Sequence, residues 1–256
     1  QPFLLPAVWG QLEAGSERML GEHRQVVTVF VSFPGLDYVD PESLAKLDGY
    51  FRRVQSLMKG FGGSFNRMDM GDKGSKFLGF FGAPESYEES AERAIAFALA
   101  LQDIEKEVIW AKGQRIGLSL GTNFCGVMGS SFRREYTVMG DAVNIAARLM
   151  GASKPGEALA VRTLRERTRK RFKWGRYRAL TLKGKSEPIQ VSPPLGSVKQ
   201  KTSQGAVSSV ALIGREAELK RLRTARARAG KGPVPYIIIQ GEAGIGKTAL
   251  LQAALA

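Results

Sequence analysis

One cysteine, Cys125, stands among 256 residues. That scarcity excludes an internal disulfide framework and fits a reducing, cytoplasmic setting. Long apolar runs are missing too. A membrane-spanning helix needs about 20 consecutive apolar residues, and the longest candidate, Ala94–Leu101, is far shorter; no membrane partner is expected. The chain opens Gln-Pro-Phe, with neither a starting methionine nor a secretory leader, and reads as a segment of a longer protein. Internal repeats and low-complexity tracts are also missing.

Acids are in short supply. Against 38 Lys and Arg there are 24 Asp and Glu, a formal charge of +14. Such an excess suits nucleic acid, an acidic membrane or phosphate ligands, or solvated arginines alone. Two clusters hold most of it: residues 162–178, with nine basic residues and one acid, and residues 215–231. Exposed helix faces and loops account for both most simply. Nucleic acid is disfavoured, because no recognised module accompanies the first cluster and Phe172, Trp174 and Tyr177 read equally well as core-facing strand residues.

What is present is ordinary globular composition, 43% hydrophobic and 24% charged, which supports a core and excludes whole-chain disorder. The length suits one domain and part of a second. Residues 1–25 read as a lead-in. From Val26, β-branched alternation predicts a strand (Val27, Val29, Val31). Asp40-Pro41-Glu42 predicts a helix start, followed by Leu44, Leu47, Phe51, Val54 and Met58 on one face. Strands Ser64–Met68 and Lys76–Phe81 flank the turn Gly71-Asp72-Lys73-Gly74. A helix over 86–108 and a strand Arg115–Leu120 follow. The order strand–helix–strand–strand–helix–strand predicts an α+β, ferredoxin-like βαββαβ domain with helices on one face. Tyr136–Met139 (strand), Asp141–Met150 (helix) and Ala158–Val161 (strand) extend it to residue 192. Residues 193–208 read as a linker, and residues 209–256 as the first part of an α/β nucleotide-binding domain.

That last expectation rests on Gly241-Glu-Ala-Gly244-Ile-Gly246-Lys247-Thr248, which fits G-x-x-x-x-G-K-S/T. Backbone N–H groups at Gly241, Gly244 and Gly246 would cradle phosphates, Lys247 would reach the β/γ oxygens, and Thr248 would hold Mg²⁺. A strand run (Tyr236–Gln240) precedes it and a helix-forming run follows, as a P-loop of an ATP-binding domain requires. The second acidic motif and any arginine finger are absent, so NTP hydrolysis by this chain is not expected.

The larger domain carries a second set. Tyr136-Thr-Val-Met-Gly-Asp141-Ala-Val-Asn144-Ile-Ala-Ala-Arg148 resembles the V-N-x-A-x-R signature of class III nucleotidyl cyclases. Gly62-Gly63, Phe81-Gly82-Ala83-Pro84 and Leu182-Lys183-Gly184-Lys185 match that family in order and spacing. With Gly214-Arg215-Glu216 and the P-loop, the arrangement resembles soluble adenylyl cyclases of the bicarbonate-responsive type and their bacterial relatives. Asn66-Arg67 and Asp72-Lys73-Gly74 resemble the second of their two tandem cyclase domains. The resemblance implies ATP as substrate, cyclic AMP and pyrophosphate as products, and Mg²⁺ or Mn²⁺ as cofactor. It makes Asn144 and Arg148 the catalytic pair: four apart, they share a helix face, Asn144 to hold the ribose and Arg148 to stabilise phosphate charge. Thr137 takes the adenine-reading position, and Arg67 stands where the family has lysine.

The metal carboxylates do not follow the pattern. Phe33 stands where the first acid is expected, at the end of the first strand. In the hairpin Asp72 is the nearest candidate for the second, but counting back from Phe81 puts Ser75 there. No metal site is therefore expected within this domain. The resemblance supplies a reason: family sites form at a pseudo-symmetric interface, one domain giving carboxylates and the other the base, asparagine and arginine contacts. The expected partner is another cyclase domain, upstream or on a second chain. The alternative is a degenerate, inactive cyclase-like domain that gates a downstream ATPase or transcription regulator.

Overall fold

A strand covered on both sides organises the larger unit. In the computed structural model, which describes residues 21–37, 39–70, 74–111, 113–130, 134–198, 215–228, 237–240, 250–251 and 253–254, β1 runs Glu22–Phe33 and is buried throughout Val26–Val31. Its side chains alternate between faces. Val27, Val29, Val31 and Phe33 join Tyr50, Val54 and Met58 of α1 (Ser43–Gly60) and Ile95, Ala98 and Leu101 of α2 (Ser90–Glu107) in the main core. Phe30 turns the other way, with Leu78 and with Ala146 of α3 (Asp141–Ala152).

The remaining strands are β2 (Ser64–Asp69), β3 (Ser75–Phe81), β4 (Arg115–Gly129), β5 (Arg134–Met139), β6 (Ala158–Val161), β7 (Phe172–Trp174), β8 (Arg178–Leu180), β9 (Ile189–Ser192) and β10 (Pro194–Ser197); a short helix α4 (Arg162–Thr168) follows β6. The main sheet has the order β2-β3-β1-β4-β6-β9-β8, with β5 paired to β4, while β7 and β10 form a separate pair. The β1–α1–β2–β3–α2–β4 order is the expected α+β, ferredoxin-like one, with α1 and α2 on one face. The expectation of helices on one face needs a correction: α3 lies on the other.

Small residues make that second layer. Gly117 and Gly121 of β4 lie beneath Ala146 and Ala142 of α3. A Cβ at Gly117 would come 2.1 Å from the Ala146 carbonyl oxygen and 2.3 Å from the Met150 nitrogen, and one at Gly121 would come 2.8 Å from the Ala142 Cβ. Gly117→Ala therefore has to lift α3 off the sheet. Overpacking of this kind costs about 1–3 kcal/mol, and the urea midpoint should fall accordingly; an unchanged midpoint would show that α3 is not seated this tightly.

Three boundaries differ from the sequence reading. β1 begins at Glu22 rather than Val26, because β4 continues past Leu120 and supplies partners as far as Glu22↔Cys125. The linker does not start at 193: Pro194–Ser197 pairs with β7 at an edge, where proline is tolerated. Helix α1 starts at Ser43 with Glu42 at its N-cap position, and Asp40 lies in the turn ahead of it, accepting the Glu42 N–H at 2.9 Å without capping the helix itself. The lead-in residues 1–20 and linker residues 199–208 lie outside the described residues.

The chain divides into two compact units, Gln1–Val198 and Lys199–Ala256. In the second unit α5 (Glu216–Arg228) is the basic helix expected from the sequence. Its Arg223 and Arg226 donate to the carbonyls of Ala253 and Ala254 at 3.2 and 3.1 Å. The P-loop residues Gly241, Gly244, Gly246, Lys247 and Thr248 lie outside the described residues.

Candidate functional site

Cross-strand partners share a face, so register places the site. Arg67 pairs with Leu78, Leu78 with Phe30, and Phe30 with Gly117. Phe30 and Leu78 pack against α3, which puts Arg67 on the α3 side, exposed on edge strand β2. Thr137 lies in β5 opposite Gly126 and is buried. Four residues later α3 begins, carrying Asn144 and Arg148 one turn apart. Asn144 is exposed and Arg148 half-buried. Among the described residues the Arg148 guanidinium has no ion-pair or hydrogen-bond partner.

The loop after β8 completes this side. Leu182 anchors it in the main core, and Lys185 Nζ pairs with Asp141 Oδ2 at 2.5 Å. Gly184, at φ 76°, sits so close that a Cβ there would be 3.7 Å from Arg148 Nη2. Lys183 is exposed. The sequence reading matched this loop to the family without giving its lysines a role. The signal lay in the two lysines flanking a glycine, but only the fold lays them along α3 beside Arg148.

The far end of the sheet is where the metal carboxylates were sought. Phe33 cannot mark that position. It is buried among Tyr50, Phe77 and Trp110, with ring centroids at 4.9, 6.3 and 6.4 Å, on the face covered by α1 and α2. Its cross-strand partner Ser75 is 2% exposed. The strand-end residue on the α3 side is Ser32. Residue counting gave the end of the strand, but not which of two neighbours faces α3.

Across four strands Ser32 belongs to the rung Asp69–Lys76–Ser32–Arg115. Asp69, the carboxylate of that rung, faces Lys76 and has Arg67 Nε 3.7 Å away. Two cationic side chains thus flank Ser32, and each would repel a divalent ion at this spacing. No group of three or more His, Cys, Asp or Glu side chains converges among the described residues. These residues do not fit a catalytic divalent metal. Asp72 lies outside the described residues.

Two further titratable groups nearby, Tyr136 and Cys125, stay neutral. Burial pushes the Tyr136 phenol up to about 12 and raises the Cys125 thiol, so neither supplies an anion near neutral pH. In the basic cluster, Arg162 pairs with Glu166 at 2.5 Å, and Arg165 lies 3.9 Å over the Tyr177 ring. Phe172 is buried and Trp174 half-buried, while Tyr177 is exposed but has Arg165 over its ring.

With the geometry in place, likeness to known proteins decides the family. Residues 36–192 match the adenylate and guanylate cyclase catalytic domain, more than half of the chain. The chain belongs to this cyclase family. Residues 211–256 match an AAA ATPase domain. The cyclase domain is 34% identical over 154 residues to adenylate cyclase type 10 of Homo sapiens, which covers 59% of this chain and 10% of that protein. An uncharacterized protein of Mycobacterium tuberculosis is 30% identical over 198 residues, 73% of this chain and 36% of its own length. The chain therefore spans only a minor part of the relatives it matches. Among solved structures, the adenylyl cyclase CyaB of P. aeruginosa superimposes with a TM-score of 0.64 at 22% identity, covering 70% of this chain and 97% of that one. The guanylyl cyclase Cya2 gives 0.62 at 25% identity, covering 71% and 97%.

Proposed function

We propose that this cyclase domain is the metal-poor half of an adenylyl cyclase. It supplies the base, ribose and phosphate contacts, and a second cyclase domain supplies the carboxylates at a shared interface. One observation carries the reading: among the described residues Arg148 is unpartnered, on the same face of α3 as Asn144 and beside the 182–185 loop, while the rung where carboxylates would be needed holds Lys76 and Arg115. A domain with one function lost and the other intact is half of a composite site.

The reaction is an intramolecular phosphoryl transfer. The ribose 3′ oxygen attacks the α-phosphorus, a new P–O bond closes the ring, and the bond to pyrophosphate breaks. Positioning and charge stabilisation carry most of such catalysis. Asn144 holds the ribose so that the 3′ oxygen lies in line. Arg148 presents a planar fork to the oxygens on which charge grows. Lys183, exposed on the adjoining loop, adds positive charge towards the departing pyrophosphate. Arg67 and Thr137 read the base. Part of the basic excess, Arg67, Arg148 and Lys183, is here put to use on an anionic substrate; the two basic clusters lie apart from these residues in the sequence.

The full-length protein with ATP should release cyclic AMP and pyrophosphate in equal amounts; failure to form cyclic AMP would overturn this reading. The regulatory alternative is favoured by one specific observation, the cationic rung itself, and would show as nucleotide binding without product. In the second unit, a P-loop bound to ATP places Lys247 on the phosphates. Lys247→Ala in a longer chain is then expected to weaken ATP binding at that unit at least tenfold, read by equilibrium dialysis, and unchanged binding would contradict it. The single cysteine, buried and free, supports a reducing, cytoplasmic setting; among the described residues no helix is long and apolar enough to cross a membrane.

A further inference from the structure

β2 contains a bulge that no candidate role explains. Its register with β3 shifts between Phe65 and Arg67, leaving Asn66 as the extra residue without a ladder partner. Bulges re-aim side chains, and this one sends Asn66 across the face of the sheet, where its Nδ2 donates to the Tyr136 carbonyl at 2.9 Å. The two residues are 70 apart in sequence. Each is the immediate neighbour of a base-side residue: Asn66 of Arg67, and Tyr136 of Thr137. The strands that carry these two readers are not adjacent in the sheet. β2 is an edge strand three places from β4, and β5 pairs only with β4 among the described strands. Tyr136 rests on Phe80, ring centroids 6.2 Å apart, which fixes the height of β5 over the sheet. The Asn66 bond fixes its lateral position.

The amide is also under an unmet demand. Only Nδ2 can donate to a carbonyl, so the bond fixes which way the amide points. Its Oδ1 is then buried without a hydrogen-bond partner among the described residues. A buried acceptor left unsatisfied is destabilising, and a purely structural tie would not require one. We propose that Asn66 is the positioning residue for base selection: by tying the β2 bulge to β5 it sets the separation of Arg67 and Thr137 and so the discrimination between adenine and guanine. Arg67 can only donate, whereas the Thr137 hydroxyl can donate or accept. Adenine offers a ring acceptor beside an amino donor, and guanine offers a carbonyl acceptor beside a ring donor. A donor and a hydroxyl held at one fixed separation therefore favour one base, and loosening the separation erodes the preference. This inference rests on the proposed base-reading role of Arg67 and Thr137.

The test uses the full-length protein in a Lys247→Ala background, so that the P-loop does not contribute nucleotide binding. Asn66→Ala removes the bond. Asn66→Asp keeps the shape but faces a carboxylate to a carbonyl. Both should raise KM for ATP about five- to tenfold, the scale of one lost hydrogen bond, and narrow the ATP-to-GTP preference by a similar factor, with kcat within about twofold; Asn66→Asp, which sets a carboxylate against a carbonyl, should also lower the thermal midpoint, whereas Asn66→Ala should move it by no more than a few degrees. Thr137→Ala and the double variant Asn66→Ala/Thr137→Ala complete a cycle, in which the combined effect on KM should fall well short of the product of the two single effects. Unchanged KM and preference in both Asn66 variants, or fully multiplicative effects, would overturn the proposal. If the parent protein makes no cyclic nucleotide, the cyclase reading fails by itself. ATP and GTP dissociation constants of the same variants then decide the Asn66 claim on the same criteria.

Discussion

Arg148→Ala should lower kcat of the full-length protein by about a hundredfold to a thousandfold, the usual cost of removing one preorganised donor from a developing oxyanion. KM should change little, because the interaction strengthens only as charge builds in the transition state. The structure makes this expectation specific. Arg148 is half-buried and unpartnered among the described residues, so its removal breaks no ion pair there and any loss of rate belongs to the chemistry. Arg148→Lys keeps the charge but not the planar fork, and should recover only part of the rate. Asn144→Ala should cost about tenfold to a hundredfold through misplacement of the 3′ oxygen. Cyclic AMP production that survives either alanine substitution at more than half the parent rate would remove that residue from the mechanism.

The second large effect concerns what this chain does by itself. With ATP and either Mg²⁺ or Mn²⁺ it should form no measurable cyclic AMP, at least a thousandfold below a completed site. The reason lies in the Asp69–Lys76–Ser32–Arg115 rung. A site for two divalent ions needs converging carboxylates, and here the carboxylate of the rung already faces two cations. Calorimetric titration with Mn²⁺ should accordingly show no site at this face. Robust turnover by this chain alone would show that the site is self-sufficient and the account of the rung mistaken.

How far the sequence could reach depended on whether the signal was local. Asn144 and Arg148 were legible as a pair through their resemblance to the V-N-x-A-x-R signature, and spacing by four puts them on one helix face whatever the helix packs against. The βαββαβ order was legible from periodicity. The seating of α3 was not: it depends on Gly117 and Gly121 meeting Ala146 and Ala142, and each of these small residues looks unremarkable in its own segment. The parity of β1 was likewise hidden. Phe33 and Ser32 end the same strand, and only the two covering layers say that the phenylalanine belongs to α1 and α2 and the serine to the α3 side. The sequence pattern marked only Arg115–Leu120 of β4; pairing with β1 and then with β5 carries it to Gly129. The Asn66 bond spans 70 residues and needs a bulge that no sequence pattern marks.

The central claim is that this domain is one half of a composite site, and reciprocal complementation measures it directly. The chain would be mixed with a cyclase domain that keeps its strand-end aspartates but has lost its own asparagine and arginine to alanine. Cyclic AMP should form from the mixture and from neither component, and should vanish when this chain carries Arg148→Ala or when the other domain loses its aspartates. A mixture that stays silent with both intact halves, or turnover that persists through Arg148→Ala, would contradict the account.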